Sequence, residues 1–151
     1  MPDSIDHKWL EGNAPLGAAT KWTTEEIVVI AELGYALAQQ GRNEEAIAVF
    51  GGLAALAPAT AYFQSALGAL YLRTGDFAQA ETHLSAAIAG DSRDAAALIN
   101  LGELLLHVGD RRAALEKLQA ALELTEHEPE PTPMAVRARA LLAQIIQESS
   151  A

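Results

Sequence analysis

The sequence has no cysteine. Disulfides, thiolate metal sites and cysteine nucleophiles are therefore excluded together, and a reducing compartment is the expectation. Aromatic residues are only 5% of the chain, and runs alternating Val, Ile, Thr and Tyr are missing, so strands are not expected. Basic residues are scarce: Lys and Arg total 10 against 20 Asp and Glu, a formal charge of −10. So acidic a surface repels phosphate backbones, which argues against nucleic acid, and it repels anionic lipid headgroups. No apolar run is long enough to span a bilayer. Residues Met1 to Trp9 lack a basic segment followed by an apolar one, so no secretory signal is read there. The expectation is a cytoplasmic protein that does not insert in a membrane.

The motifs of catalysis are missing as well. There is no GxSxG elbow and no GxxxxGK[ST] phosphate loop. His7, His83, His107 and His127 lie far apart, and none forms an HExxH pair. The paired carboxylates Glu25-Glu26 and Glu44-Glu45 fall in the first turns of expected helices, where the helix dipole favours negative charge. No enzyme activity, metal or cofactor is expected.

What is present is helix-forming. Half of the 151 residues are apolar, and Ala and Leu, both strong helix formers, dominate them. Three sets of small residues recur every 34 positions: Gly34, Gly68 and Gly102; Gly41, Gly75 and Gly109; Ala46, Ala80 and Ala114. The first set follows Leu33, Leu67 and Leu101 inside a helix and permits close helix packing, at a propensity cost of about 1 kcal/mol each against Ala. The second set ends that helix in the left-handed conformation. The alanines are small contacts on a second helix. Phe50, Leu84 and Leu118 supply its large contact, and Pro58 closes the first unit.

These markers resemble the tetratricopeptide repeat (TPR), also of period 34, over residues 27–128. The expected fold is all-α: a solenoid of three helix-turn-helix repeats with a C-terminal capping helix. Residues 1–22 form an N-terminal arm, either disordered or dimer-forming, residues 23–128 the repeats, and residues 129–151 a Pro-rich spacer and the cap. Thr23 and Glu26 predict a capping box at the first helix, and Thr132 with Pro133 predicts the start of the last. Met134, Ala138, Leu141, Leu142, Ile145 and Ile146 form that helix's apolar face, with Arg137, Gln144 and Gln147 toward water. In the arm, Trp22 is expected to dock, on the protein itself or on a sister subunit, while Trp9 is left open between docking and solvent. The Gly51-Gly52 pair inside a helix reads as close packing within the domain, the alternative being a smooth patch where another subunit packs.

The first helix of each TPR lines a concave groove. Counted from Ile27, Ala61 and Ala95, its second, fifth, ninth and twelfth positions are Val28, Ala31, Tyr35 and Ala38; Tyr62, Ser65, Ala69 and Leu72; Ala96, Ile99, Glu103 and Leu106. That lining is small and apolar with two tyrosines, and it suits a protein or peptide client carrying spaced apolar anchors. TPR domains that dock heat-shock chaperones clamp a carboxylate with Lys, Asn and Arg. Here Ala31, Tyr35, Ala96 and Asn100 stand at those places, so the clamp is not expected.

The junction from Ala48 to Pro58, followed by Ala61-Tyr62-Phe63-Gln64-Ser65-Ala66-Leu67-Gly68-Ala69-Leu70, is similar to that of the bacterial type III secretion translocator chaperones. The resemblance implies a protein that holds a hydrophobic translocator subunit in its groove in the bacterial cytoplasm before export. It further implies Tyr35, Tyr62, Tyr71 and Leu72 as anchor-pocket residues, and a homodimer formed through the arm and first repeat. A general TPR scaffold in another bacterial assembly, such as pilus or envelope biogenesis, is the alternative.

Overall fold

A computed structural model describes residues 22–150. Among them are seven helices: α1 Thr24–Gln39, α2 Asn43–Leu56, α3 Ala61–Thr74, α4 Phe77–Gly90, α5 Ala95–His107, α6 Arg111–Thr125 and α7 Pro133–Ser150. The expected arm lies, apart from Trp22, outside the described residues.

The helices start where their caps dictate. Thr23 and Glu26 exchange bonds in a capping box, the Thr23 amide donating to Glu26 at 2.9 Å and the Glu26 amide to Thr23 Oγ1 at 3.1 Å. Asp76, Asp94 and Asp110 cap α4, α5 and α6 by accepting from the amide three residues on. Thr132 accepts from the Ala135 amide at 3.1 Å to open α7, with Pro133 at its first position. The first helix of each pair ends at a glycine with positive φ, as at Gly75 (φ 84°), and at Gly41 and Gly109 likewise. An L side chain there would strain the turn that reverses the chain.

Within each pair, a large side chain of the second helix sits on a glycine of the first. A Cβ on Gly34 would come within 2.8 Å of the Phe50 ring, one on Gly68 within 2.5 Å of Leu84, and one on Gly102 within 2.8 Å of Leu118. The glycine therefore makes room for a side chain as much as for a backbone. Ala46, Ala80 and Ala114 are fully buried beside these contacts.

Each helix packs on the next, and α3 also touches α5, as α5 touches α7. The core runs along the solenoid as three adjoining groups. Around Phe50 lie Trp22, Ile30, Leu37, Leu53, Phe63 and Leu67; around Leu84 lie Ala97, Leu101 and Leu104; around Leu118 lie Leu98, Ile99, Ala138 and Ile145. Trp22 is buried in the first group, docked as its apolar bulk requires.

Three expectations need correction here. Gly51 meets nothing within 4 Å of where its Cβ would be, so it is not there for close packing within the domain. On α7, Met134 and Ile146 are exposed, while Ala135 joins Ala138 and Ile145 in the buried set. The reason is the path of α7, which leans on both α5 and α6. The small faces of Ala135 and Ala138 let it approach closely.

Candidate functional site: the concave groove

The helices α1, α3 and α5 line one face, and four depressions follow one another across it. The first, about 480 Å³, is lined by Ile27, Val28, Ala31, Tyr35, Tyr62 and Phe63, with Glu32 and Thr60 at its rim. The second, about 210 Å³, shares Tyr35 and Tyr62 and adds Ala38, Ser65, Ala69, Ala96 and Asn100. The third, about 370 Å³, shares Ala69, Arg73 and Asn100 with the second and adds Leu72, Glu103, His107 and Arg137. The last, about 180 Å³, lies between Glu103, Leu106 and His107 on one side and Leu141 and Gln144 on the other. Shared walls make these one groove.

At the first-repeat end the groove is apolar. Tyr35 and Tyr62 are 56% and 55% exposed and Val28 48%, a high exposure for side chains of this size on one concave face. The Tyr62 ring is held by edge contacts with Phe50 at 6.3 Å and Phe63 at 5.9 Å between centroids. Its orientation is thus set by the core beneath, while its other face stays open.

At the third-repeat end the groove is polar. Arg137 reaches from α7 and donates to Asn100 Oδ1 at 2.9 Å and also to Glu103 Oε2. Burial lowers the pKa of its guanidinium from the ordinary value. Between the two ends, Arg73 of α3 reaches back to the first repeat, its Nη1 donating to the Ala38 carbonyl at 2.8 Å and to Asn43 Oδ1 at 3.1 Å. His107 stacks on Phe77 at 5.2 Å.

Most positions expected in the lining do face the groove: Val28, Ala31, Tyr35, Ala38, Tyr62, Ser65, Ala69, Leu72, Ala96, Glu103 and Leu106. Ile99 does not. It is 1% exposed and packed beneath α7 with Leu118 and Ile145. Leu106 is half covered by the same helix. Tyr71, expected as an anchor pocket, turns to the other side of α3 and stacks on His83 at 5.4 Å. The His83 Nδ1 lies 2.7 Å from Gln64 Oε1, and burial lowers the pKa of this imidazole. Leu72 is partly buried against the α4 side of the core.

Arg137, expected to face water, is 47% exposed and also reaches across the groove to Asn100 and Glu103. Counting α7 from Pro133 reveals the pattern: its second, fifth, ninth and twelfth residues are Met134, Arg137, Leu141 and Gln144. Three of those line the groove. In register α7 is thus the first helix of a fourth unit, and it extends the groove while it covers the end of the core.

A family model described as tetratricopeptide repeat matches residues 65–129, and a second of the same description matches residues 29–60. This chain belongs to the tetratricopeptide-repeat family. No curated protein is similar to it in sequence. Among solved structures it is similar to the type III secretion translocator chaperone SycD of Yersinia enterocolitica, with 24% identity, a TM-score of 0.79, and coverage of 86% of this chain and 90% of that one. It is also similar to PcrH of Pseudomonas aeruginosa, with 24% identity, a TM-score of 0.75, and coverage of 83% and 95%. A third likeness is to the first TPR of Spaghetti (RPAP3) bound to an HSP90 peptide, with 21% identity, a TM-score of 0.73, and coverage of 85% and 97%. At these identities the likeness is one of fold. Among the described residues no helix is long and apolar enough to cross a membrane, and no three or more His, Cys, Asp or Glu are grouped to hold a metal ion.

Proposed function

We propose that this protein is a chaperone that holds a hydrophobic translocator subunit in its concave groove in the bacterial cytoplasm before type III export. One observation carries the reading: Val28, Tyr35 and Tyr62 stand open on the concave face of a tetratricopeptide solenoid. Support comes from the similar solved structures, of which SycD was solved with a peptide of the translocator YopD and PcrH with the chaperone binding region of PopD. The groove's first two depressions suit apolar side chains of an extended segment. Removing those side chains from water supplies the driving force, about 25 cal/mol per Å² buried, so holding requires no nucleotide. Self-association through the residue 1–22 arm and first repeat belongs to the same proposal.

The test is capture from lysate of a bacterium carrying a type III system, with mass spectrometry of what is retained. Tyr62→Ala and Tyr35→Ala are the right variants, because both rings are exposed and the fold does not rest on them. Recovery of a hydrophobic secreted translocator by the parent protein, lost in both variants, is the expected result. Recovery of pilus or envelope assembly components instead moves the function to the general scaffold reading.

A further inference from the structure

The polar end of the groove carries more positive charge than the rest of the molecule leads one to expect. In a chain of charge −10, two arginines from different helices, Arg73 and Arg137, line one depression of about 370 Å³. Glu103 is the carboxylate that lines it with them, and Glu103 is paired with Arg137. Arg73 has no ion-pair partner among the described residues; its Nη1 is tied to two neutral oxygens, of Ala38 and Asn43. Those two bonds fix the guanidinium plane. They leave Nε and Nη2, one complete edge of the fork, with no acceptor among the described residues. That edge matches the two oxygens of a carboxylate. Asn100, also in the wall, is held through its carbonyl oxygen by Arg137, so its amide N–H groups remain to donate.

We propose that Arg73, with Arg137 and Asn100 beside it, forms a carboxylate subsite in the groove. It receives an acidic group of the same bound segment whose apolar anchor rests on Tyr35 and Tyr62. The inference rests on the chaperone reading for the occupant but makes a separate demand on its sequence. The two sites adjoin: Arg73 bonds back to α1 at Ala38, and it lines both the depression of Tyr35 and Tyr62 and the one it shares with Asn100 and Arg137. The acidic group therefore falls close to the apolar anchor along the segment. The neutralisation is also specific in amount: two guanidinium groups against Glu103 leave one positive charge, enough for one carboxylate. Lysine or arginine at that position of the segment meets two like charges and is rejected.

The test is selection of short random peptides on the purified full-length protein, from one library with amidated C-termini and one with free C-termini. Peptides retained from the amidated library are expected to pair an apolar residue with Asp or Glu at one fixed, short spacing. Arg73→Gln is expected to erase the acidic preference and weaken a selected peptide about tenfold, while the apolar preference stays. Arg137→Gln reduces the same preference, and thermal unfolding confirms that each variant is folded. Acidic preference confined to the last residue of the free library assigns the subsite to a terminal carboxylate, the same chemistry from another source. Apolar selection with no acidic preference overturns the subsite and leaves the groove reading standing. Selection that is unchanged in Tyr62→Ala overturns the groove reading itself.

Discussion

The two ends of the groove are built from the same repeat and differ in what lies next to them. At the first repeat, α1 and α3 present Val28, Tyr35 and Tyr62 to open space. At the third, α5 is crossed by α7, which buries Ile99, half covers Leu106 and brings Arg137 onto Asn100 and Glu103. A groove position is therefore defined by its register and by the helix that follows it. The apolar end leaves its large side chains open to solvent. The polar end is occupied by an intramolecular contact, Arg137 on Asn100 and Glu103.

The largest expected effect separates the two ends through their cores. Phe50 is 2% exposed, fills the space over Gly34 and carries the edge of Tyr62. Phe50→Ala is expected to cost about 3–5 kcal/mol in urea unfolding and to abolish binding at the tyrosine end. Leu118 does the same work over Gly102 in the third repeat. Leu118→Ala is expected to cost about 2–5 kcal/mol yet to spare binding at the tyrosine end under conditions where it remains folded. In a solenoid each unit contacts only its neighbours, so damage should stay local. Loss of tyrosine-end binding in Leu118→Ala would show that the ends form one cooperative site.

How far this was legible in the sequence follows the same division. The period of 34, carried by Gly34, Gly68, Gly102 and their companions, fixes where the first helix of each pair ends and where the second packs against it. Capping at Thr23 and Thr132 needs only local chemistry and was readable in advance. Ile99 was not, because its burial depends on a helix beyond the Pro-rich spacer, outside the period. The contacts of Arg137 across the groove were not legible from the apolar face of α7 alone, which does not show which neighbours its polar side meets. Counting α7 as one more first helix, from Pro133, puts Arg137 in a groove position, and that signal was available. Tyr71 is a different case: it sits where the repeat places a tyrosine for packing, and an aromatic of that kind serves the core rather than the groove.

A smaller effect tests how firmly α7 closes the polar end. Arg137 and Glu103 pair with side chains 47% and 29% exposed. Such a pair, partly in water and screened by salt, is worth about 0–1 kcal/mol. A double-mutant cycle with Arg137→Gln and Glu103→Gln, read by thermal unfolding, is expected to return a coupling in that range. A coupling well above it would mean that α7 is locked on α5 and that the two ends differ in rigidity as well as in polarity.

The smallest effect concerns neither end but the seam between them, and it is set by pH. His83, on α4, stacks on Tyr71 and lies against Gln64, both on α3, and burial lowers its pKa below the ordinary 6.5. The native state therefore takes up its proton at lower pH than the unfolded chain does. Above about pH 6.5 both states hold the neutral ring and His83 leaves stability independent of pH. As pH falls from there toward the lowered value, the unfolded chain binds a proton that the native state resists, and stability is lost. Below the lowered value both forms are charged and the loss is complete. His83→Gln, which keeps a polar side chain without a titrating ring, is expected to remove this part of the acid-side decline. The comparison is unfolding midpoint against pH for both proteins, between pH 7.5 and the onset of general carboxylate protonation near about pH 5. Curves of the same shape would mean that the imidazole is solvated well enough to titrate alike in both states. The seam would then be held by stacking and by the packing of Leu84 on Gly68 alone.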